Sequence, residues 1–141
     1  MTAFAPNGPS TSEVYAMSIS NEYLWVARGN RSEIWVGVYK EAEAYKFSYE
    51  NWSSMARNNI SALDTMRDIV SVAIDPANKE HVYLGSLAAG LIELNNGSFV
   101  NLWNEQNSSL QSRGDASFHW VGIYGMAYDF SGNLWVTNCY A

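Results

Sequence analysis

The chain has 141 residues, 48% hydrophobic and 16% charged, which suits one domain with a real core and excludes a disordered chain. Its formal net charge of −6, with 8 scattered Lys and Arg, argues against gripping nucleic-acid phosphates or an anionic membrane surface. A single cysteine, Cys139, excludes an internal disulfide, and no run approaches the roughly 20 apolar residues of a membrane span.

The first residues, Met1 to Glu13, lack a basic start followed by an apolar stretch, so no signal peptide is visible. From Tyr15 to Gly29 the chain reads as a strand, a polar turn and a second strand carrying Leu24-Trp25-Val26. Ile34 to Tyr39 reads as a third strand and Ala44 to Trp52 as a fourth. Ser53 to Asp68 is a connection with room for a helical turn. A second unit follows, with strands Ile69 to Asp75, His81 to Gly85, Gly90 to Leu94 and Ser98 to Trp103. Asn95-Asn96-Gly97 turns the chain between the last two, since Asn-Gly supplies the positive φ angles of a two-residue hairpin. Asn104 to Ala116 is a polar loop, and a third unit begins near Trp120 with Gly125 to Asn138.

These units repeat. Each holds a short apolar strand, a polar turn and an apolar–aromatic–apolar triplet: Leu24-Trp25-Val26, Val82-Tyr83-Leu84 and Leu134-Trp135-Val136. Val82 follows Leu24 by 58 residues and Leu134 follows Val82 by 52, close to the length of a four-stranded propeller blade with a loop added. Triplets apolar at every position suit strands covered on both faces. Asp75 and Asp129, each ending the strand before a turn, suit capping of turn backbone groups. The fold expected is all-β, a partial β-propeller of about two and a half four-stranded antiparallel blades. Blade 1 spans about 13–56, blade 2 about 69–104, and blade 3 begins at about 120–141.

Several segments carry a family likeness. Asn7-Gly-Pro9 with Glu13 to Ile19, Leu24 to Gly29, Ala62 to Ile69, His81 to Ser86, Asn107 to Ser112 and Gly132 to Asn138 together resemble the N-terminal propeller of PorZ-like type IX secretion proteins of the Bacteroidota. The triplets resemble the two-component-regulator propeller repeat. The resemblance implies an exported protein of the outer-membrane surface or periplasm and a non-enzymatic scaffold that docks partners. It implies partners among other propeller blades, cell-surface proteins, and anionic lipopolysaccharide or another glycan. The related alternative is a glycan-sensing periplasmic propeller of a hybrid two-component sensor. At this length the chain reads as a piece of a longer propeller, and its open faces would favour self-association.

The chemistry-bearing residues are few. His81 and His119 are the only histidines, and with one cysteine they make no zinc pattern. Cys139 has no base near it in sequence and reads as structural. Gly85 to Gly90 has the glycine spacing of a phosphate loop without its Lys-Ser/Thr, and reads as a turn. Glu41, Glu43 and Glu50 read as solvated carboxylates, and Asp75 and Asp129 lack the oxygens a calcium site needs. No catalytic residue, cofactor or metal is therefore expected. Trp52, Trp103 and Trp120 lie at strand ends or in loops, where rings can stack on a glycan or anchor a partner. Asp64-Thr65-Met66 matches an O-glycosylation pattern of the Bacteroidota, which marks Thr65 as a surface candidate.

Overall fold

Short strands rich in aromatic and β-branched residues, punctuated by polar turns, fold here into three antiparallel sheets. The structure is a computed structural model and describes residues 7–114 and 119–139. The first sheet is a meander of β1 (Val14–Ser20), β2 (Tyr23–Arg28), β3 (Glu43–Ser48) and β4 (Asn51–Met55). The second repeats that order with β5 (Ile69–Asp75), β6 (Asn78–Ser86), β7 (Leu91–Asn95) and β8 (Ser98–Trp103). The third pairs β9 (Gly122–Tyr128) with β10 (Leu134–Cys139). The fold is all-β and matches part of a propeller.

The second sheet lies between the other two, with β5 packed against β1 and β2 on one side and β9 on the other. Glycines at the strand ends allow this close approach. A Cβ on Gly29 would stand 2.1 Å from the Ile69 carbonyl oxygen. A Cβ on Gly85 would stand 2.3 Å from Ser71 Oγ and 2.6 Å from Ile123 Cγ2. The same device thus recurs at both inter-sheet contacts. Trp25, Leu63, Met66, Ile69, Leu84 and Ile92 fill the main core. A smaller cluster joins Leu91, Val121 and Ile123 to Trp103, Leu134 and Val136.

In a meander, alternate connections lie at opposite ends of the sheet. Gly29 abuts the start of β5, and Gly85 abuts the start of β9, so all three sheets point the same end the same way. The β2–β3, β4–β5, β6–β7 and β8–β9 connections therefore share one face of the molecule, called here the connection face. The tight hairpin turns share the opposite one.

Two strand readings change. Ile34 to Tyr39 is a loop, touched only by an isolated bridge between Arg31 and Gly37. Ala44 to Trp52 is not one strand but a hairpin, in which β3 turns into β4 through Tyr49 (φ 49°) and Glu50 (φ 63°). The helical turn within 53–68 is a 3-10 turn at Ser61–Asp64. The third triplet also differs from its counterparts. Trp135 is 66% exposed, because among the described residues β10 is paired only with β9 and packs inward through Leu134 and Val136. Met1 to Pro6, Asp115 to Phe118, Tyr140 and Ala141 lie outside the described residues, and with them the ends of the expected polar loop and third blade.

Candidate functional site

The connection between β2 and β3 is long, whereas its counterpart between β6 and β7 is a tight turn. In that turn Ser86 Oγ accepts from the Ala88 and Ala89 N–H groups and donates to the Arg67 carbonyl. Gly90 adopts a φ of 93° there, so the glycine-spaced stretch is a turn, as read from the sequence. The longer connection carries five exposed apolar side chains, Ile34, Trp35, Val36, Val38 and Tyr39. Trp35 (φ 62°) and Tyr39 (φ 64°) both hold left-handed backbone. Strain of this kind costs about 1 kcal/mol or more per bulky residue and persists only where surrounding contacts enforce it.

Asp68 supplies that enforcement. It is 1% exposed, and its two carboxyl oxygens accept the N–H groups of Tyr39 at 2.7 Å and Lys40 at 2.9 Å. Its own N–H donates to the Lys40 carbonyl, and its carbonyl accepts the Leu87 N–H. One buried residue so ties together three connections. A Cβ on Gly37 would meet Asp68 Oδ2 at 2.8 Å, so the loop passes close only because that position has no side chain.

The loop reaches across to the third sheet. The Trp35 ring lies 5.6 Å from that of Tyr124 on β9, and Tyr124 donates to the Trp35 carbonyl at 3.3 Å. Between them opens a cleft of about 300 Å³, walled by Trp35, Val36, Trp120 and Tyr124, with Arg113 and Cys139 at its sides. Gly122 keeps the floor open, since a Cβ there would stand 3.1 Å from the Tyr124 ring. Arg31 stacks on Trp35, its guanidinium carbon 3.5 Å from the ring centroid. The same guanidinium donates to the Tyr15 hydroxyl and the Ser32 carbonyl. Burial pushes the Tyr124 hydroxyl up, and nearby Cys139 adds to that.

Of the residues singled out in sequence, only Trp120 and Cys139 reach this cleft. Trp120 is half-buried, donates its indole N–H to the Leu87 carbonyl, and also borders a second recess with Tyr39, Thr65, Arg67 and His119. Thr65 is exposed there, its hydroxyl donating to the Ala62 carbonyl. Trp103 lies elsewhere, on β8, donating to Glu93 at 2.8 Å beside Leu134 and Trp135. Trp52 sits on β4 against Phe47, beside Tyr45 and Pro9. The three tryptophans therefore belong to separate recesses. Trp35 was missed because its neighbours Ile34, Val36 and Val38 mimic strand alternation. Gly37 and the preceding Asn30-Arg31-Ser32 were the available turn signals.

The ionisable residues are held by structural contacts. Glu41 and Glu43 are not merely solvated: both approach Arg28 at 3.4 Å, and Glu41 also meets Arg57 at 3.0 Å. Glu50 sits in the exposed hairpin turn. Asp129 caps its turn by accepting from the Asn133 side-chain amide, the Trp135 indole and the Asn133 and Ser131 N–H groups, and these bonds hold its carboxyl far below the usual range. His81 is wedged between Asp75 at 2.9 Å and Glu93 at 2.8 Å. Burial works against its charged form, but the two carboxylates outweigh that and raise its pKa. His119 meets Glu105 at 2.8 Å. No group of three or more His, Cys, Asp or Glu among the described residues is placed to hold a metal. No helix among them is long and apolar enough to cross a membrane.

No family model matches the chain, and no curated protein does either. Among solved structures it is similar to PorZ, described as an essential bacterial surface component of the type IX secretion system of Porphyromonas gingivalis. The TM-score is 0.78 at 18% sequence identity, over 97% of this chain and 18% of that one. The chain thus shares a PorZ-like fold over 97% of its length while spanning 18% of that protein's length.

Proposed function

We propose that this chain is a non-enzymatic interaction domain of a PorZ-like cell-surface protein, and that its connection face is the docking face. The observation that carries this is the β2–β3 connection. Its strained loop, held by a buried carboxyl group, leaves Trp35 half-exposed over an aromatic cleft beside four further exposed apolar side chains. Exposed, rigidly held aromatic side chains are the usual anchors of protein interfaces. The cleft has no histidine among its described lining residues, and its one thiol, Cys139, faces Tyr124 rather than a base. The likeness to PorZ supports export and a surface location. Type IX secretion is the setting that likeness suggests. The second reading, a glycan-sensing propeller, draws on the same exposed indole, since an aromatic ring can also stack on a sugar face.

The test is photo-crosslinking in the source cells. A benzophenone amino acid replaces Trp35 in one variant and Phe130, on the hairpin face, in another. A discrete adduct at position 35 and none at 130 is expected. Equal labelling at both positions, or none at 35, would sink the proposal.

A further inference from the structure

The cleft also indicates what it binds. The chain carries a net charge of −6, and four of its cations, Arg28, Lys40, Lys46 and Arg57, are bridged to carboxylates. Arg31 and Arg113 are not: among the described residues neither has a carboxylate within salt-bridge distance. Both stand at the cleft, Arg31 on the outer face of Trp35 and Arg113 in the wall beside Tyr124. Arg67, which donates only to the Asp64 and Met66 carbonyls, borders the adjoining recess. Among the described residues the three guanidinium groups without a carboxylate partner thus stand on one face, while Lys79, also unbridged, lies over the Tyr23 ring. Glu33 stands exposed on the same loop and makes no ion pair among the described residues.

The walls narrow the choice further. A saccharide presents many hydroxyl donors, for which side-chain carboxylates and amides are strong acceptors besides backbone carbonyls. The described lining of the cleft has neither. The one amide at its mouth, Asn138, already accepts from the Gln111 N–H and donates to the Gly122 carbonyl. What remains is three aromatic planes over an open glycine floor, with the Arg113 guanidinium in the wall and that of Arg31 on the outer face of Trp35. That space of about 300 Å³ admits an aryl side chain with room to spare, and the guanidinium groups suit a carboxylate beside it.

We infer that the cleft is a peptide-recognition site for a protein partner that inserts an aromatic side chain flanked by acidic residues. The aryl group lies between Trp35, Trp120 and Tyr124, and the flanking carboxylates meet Arg31 and Arg113. This rests on the docking-face reading above, and deepens it by naming the partner's chemistry.

The test uses two synthetic tripeptides, acetyl-Asp-Phe-Asp-amide and its neutral analogue acetyl-Asn-Phe-Asn-amide, with a uronic-acid tetrasaccharide as competitor class. Binding is read from the indole N–H signals of Trp35 and Trp120 by NMR titration. The acidic peptide is expected to bind with a Kd of about 1 mM, and the neutral one roughly tenfold more weakly. Trp35→Ala removes both shifts. Arg113→Gln, which leaves the aromatic walls and Arg31 intact, lowers the preference for the acidic peptide to about threefold and weakens the salt dependence. Equal binding of the two peptides, or no shift with either at about 10 mM, overturns the inference. So does a saccharide that moves the same indole signals more strongly. A crosslink from position 35 to a glycan would likewise overturn this inference while leaving the docking face standing. Absence of any crosslink would remove both.

Discussion

Replacing Asp68 by Asn tests the clamp on which the cleft depends. The substitution is isosteric, and Asn tolerates the left-handed φ of 52° that Asp68 adopts, so no backbone strain is added. One carboxyl oxygen becomes an NH₂ facing an N–H donor of Tyr39 or Lys40. That exchanges a hydrogen bond to a charged-type acceptor for a buried unsatisfied donor, together about 2–4 kcal/mol. At about 3 °C per kcal/mol for a chain of this size, Tm falls by roughly 6–12 °C if the loss is felt globally. Because the loop is exposed, the clamp can also open locally without unfolding the sheets. Amide hydrogen exchange separates the two. At about 1.4 kcal/mol per decade, protection at Tyr39, Lys40 and Leu87 should fall by about 30- to 700-fold. Asp64→Asn, an exposed control on the same connection, should change neither reading. Protection altered by less than about fivefold, with Tm unmoved within about 1 °C, would refute the clamp.

Other outcomes follow from the same contacts. The Asp75–His81–Glu93 cluster makes stability pH-dependent. His81 is raised above its ordinary 6.5, so its contribution is complete below pH 6.5 and lost as pH rises through the folded value. For Asp75 and Glu93, burial acts to raise the pKa, but hydrogen bonds, those to His81 first, outweigh it and lower both below 3.8 and 4.5. Their contributions are lost as pH falls through the lowered values. Urea midpoints should therefore be highest between about pH 4.5 and 6.5, and His81→Gln should flatten the alkaline limb. Gly85→Ala should cost about 1–3 kcal/mol in urea unfolding, as its Cβ would collide with Ser71 and Ile123. Gly29→Ala should cost more than Gly85→Ala, because the atom it strikes, the Ile69 carbonyl oxygen, is backbone and cannot rotate away. On the outer face of β1, Met17 is 70% and Ile19 73% exposed. Light scattering of this chain should show concentration-dependent association that Met17→Lys with Ile19→Lys reduces.

Much of the fold was legible because it is local. Asn96 and Gly97 adopt φ values of 51° and 71°, the turn their residue types call for, and the strand Ser98–Trp103 follows as read. Asp75 and Asp129 cap their turns as their positions suggest. The hairpin between β3 and β4 was hidden because Tyr49 and Glu50, neither Gly nor Asn, occupy its left-handed turn. Its closure comes from outside that dipeptide. Phe47 packs on Trp52, Asn51 donates to the Tyr49 carbonyl, and Asn7 donates to that of Glu50.

The pattern of strands, hairpin turns and repeated triplets was written in the sequence, because alternation and turn chemistry act over a few residues. The site was not. Ile34 to Tyr39 has the composition of a strand, and only tertiary contacts make it a loop. Asp68, some thirty residues on, captures its two N–H groups, Gly37 yields the space, and Tyr124 of the third sheet meets Trp35. A cleft assembled from two connections and the third sheet takes its form from distances between segments that no local pattern encodes.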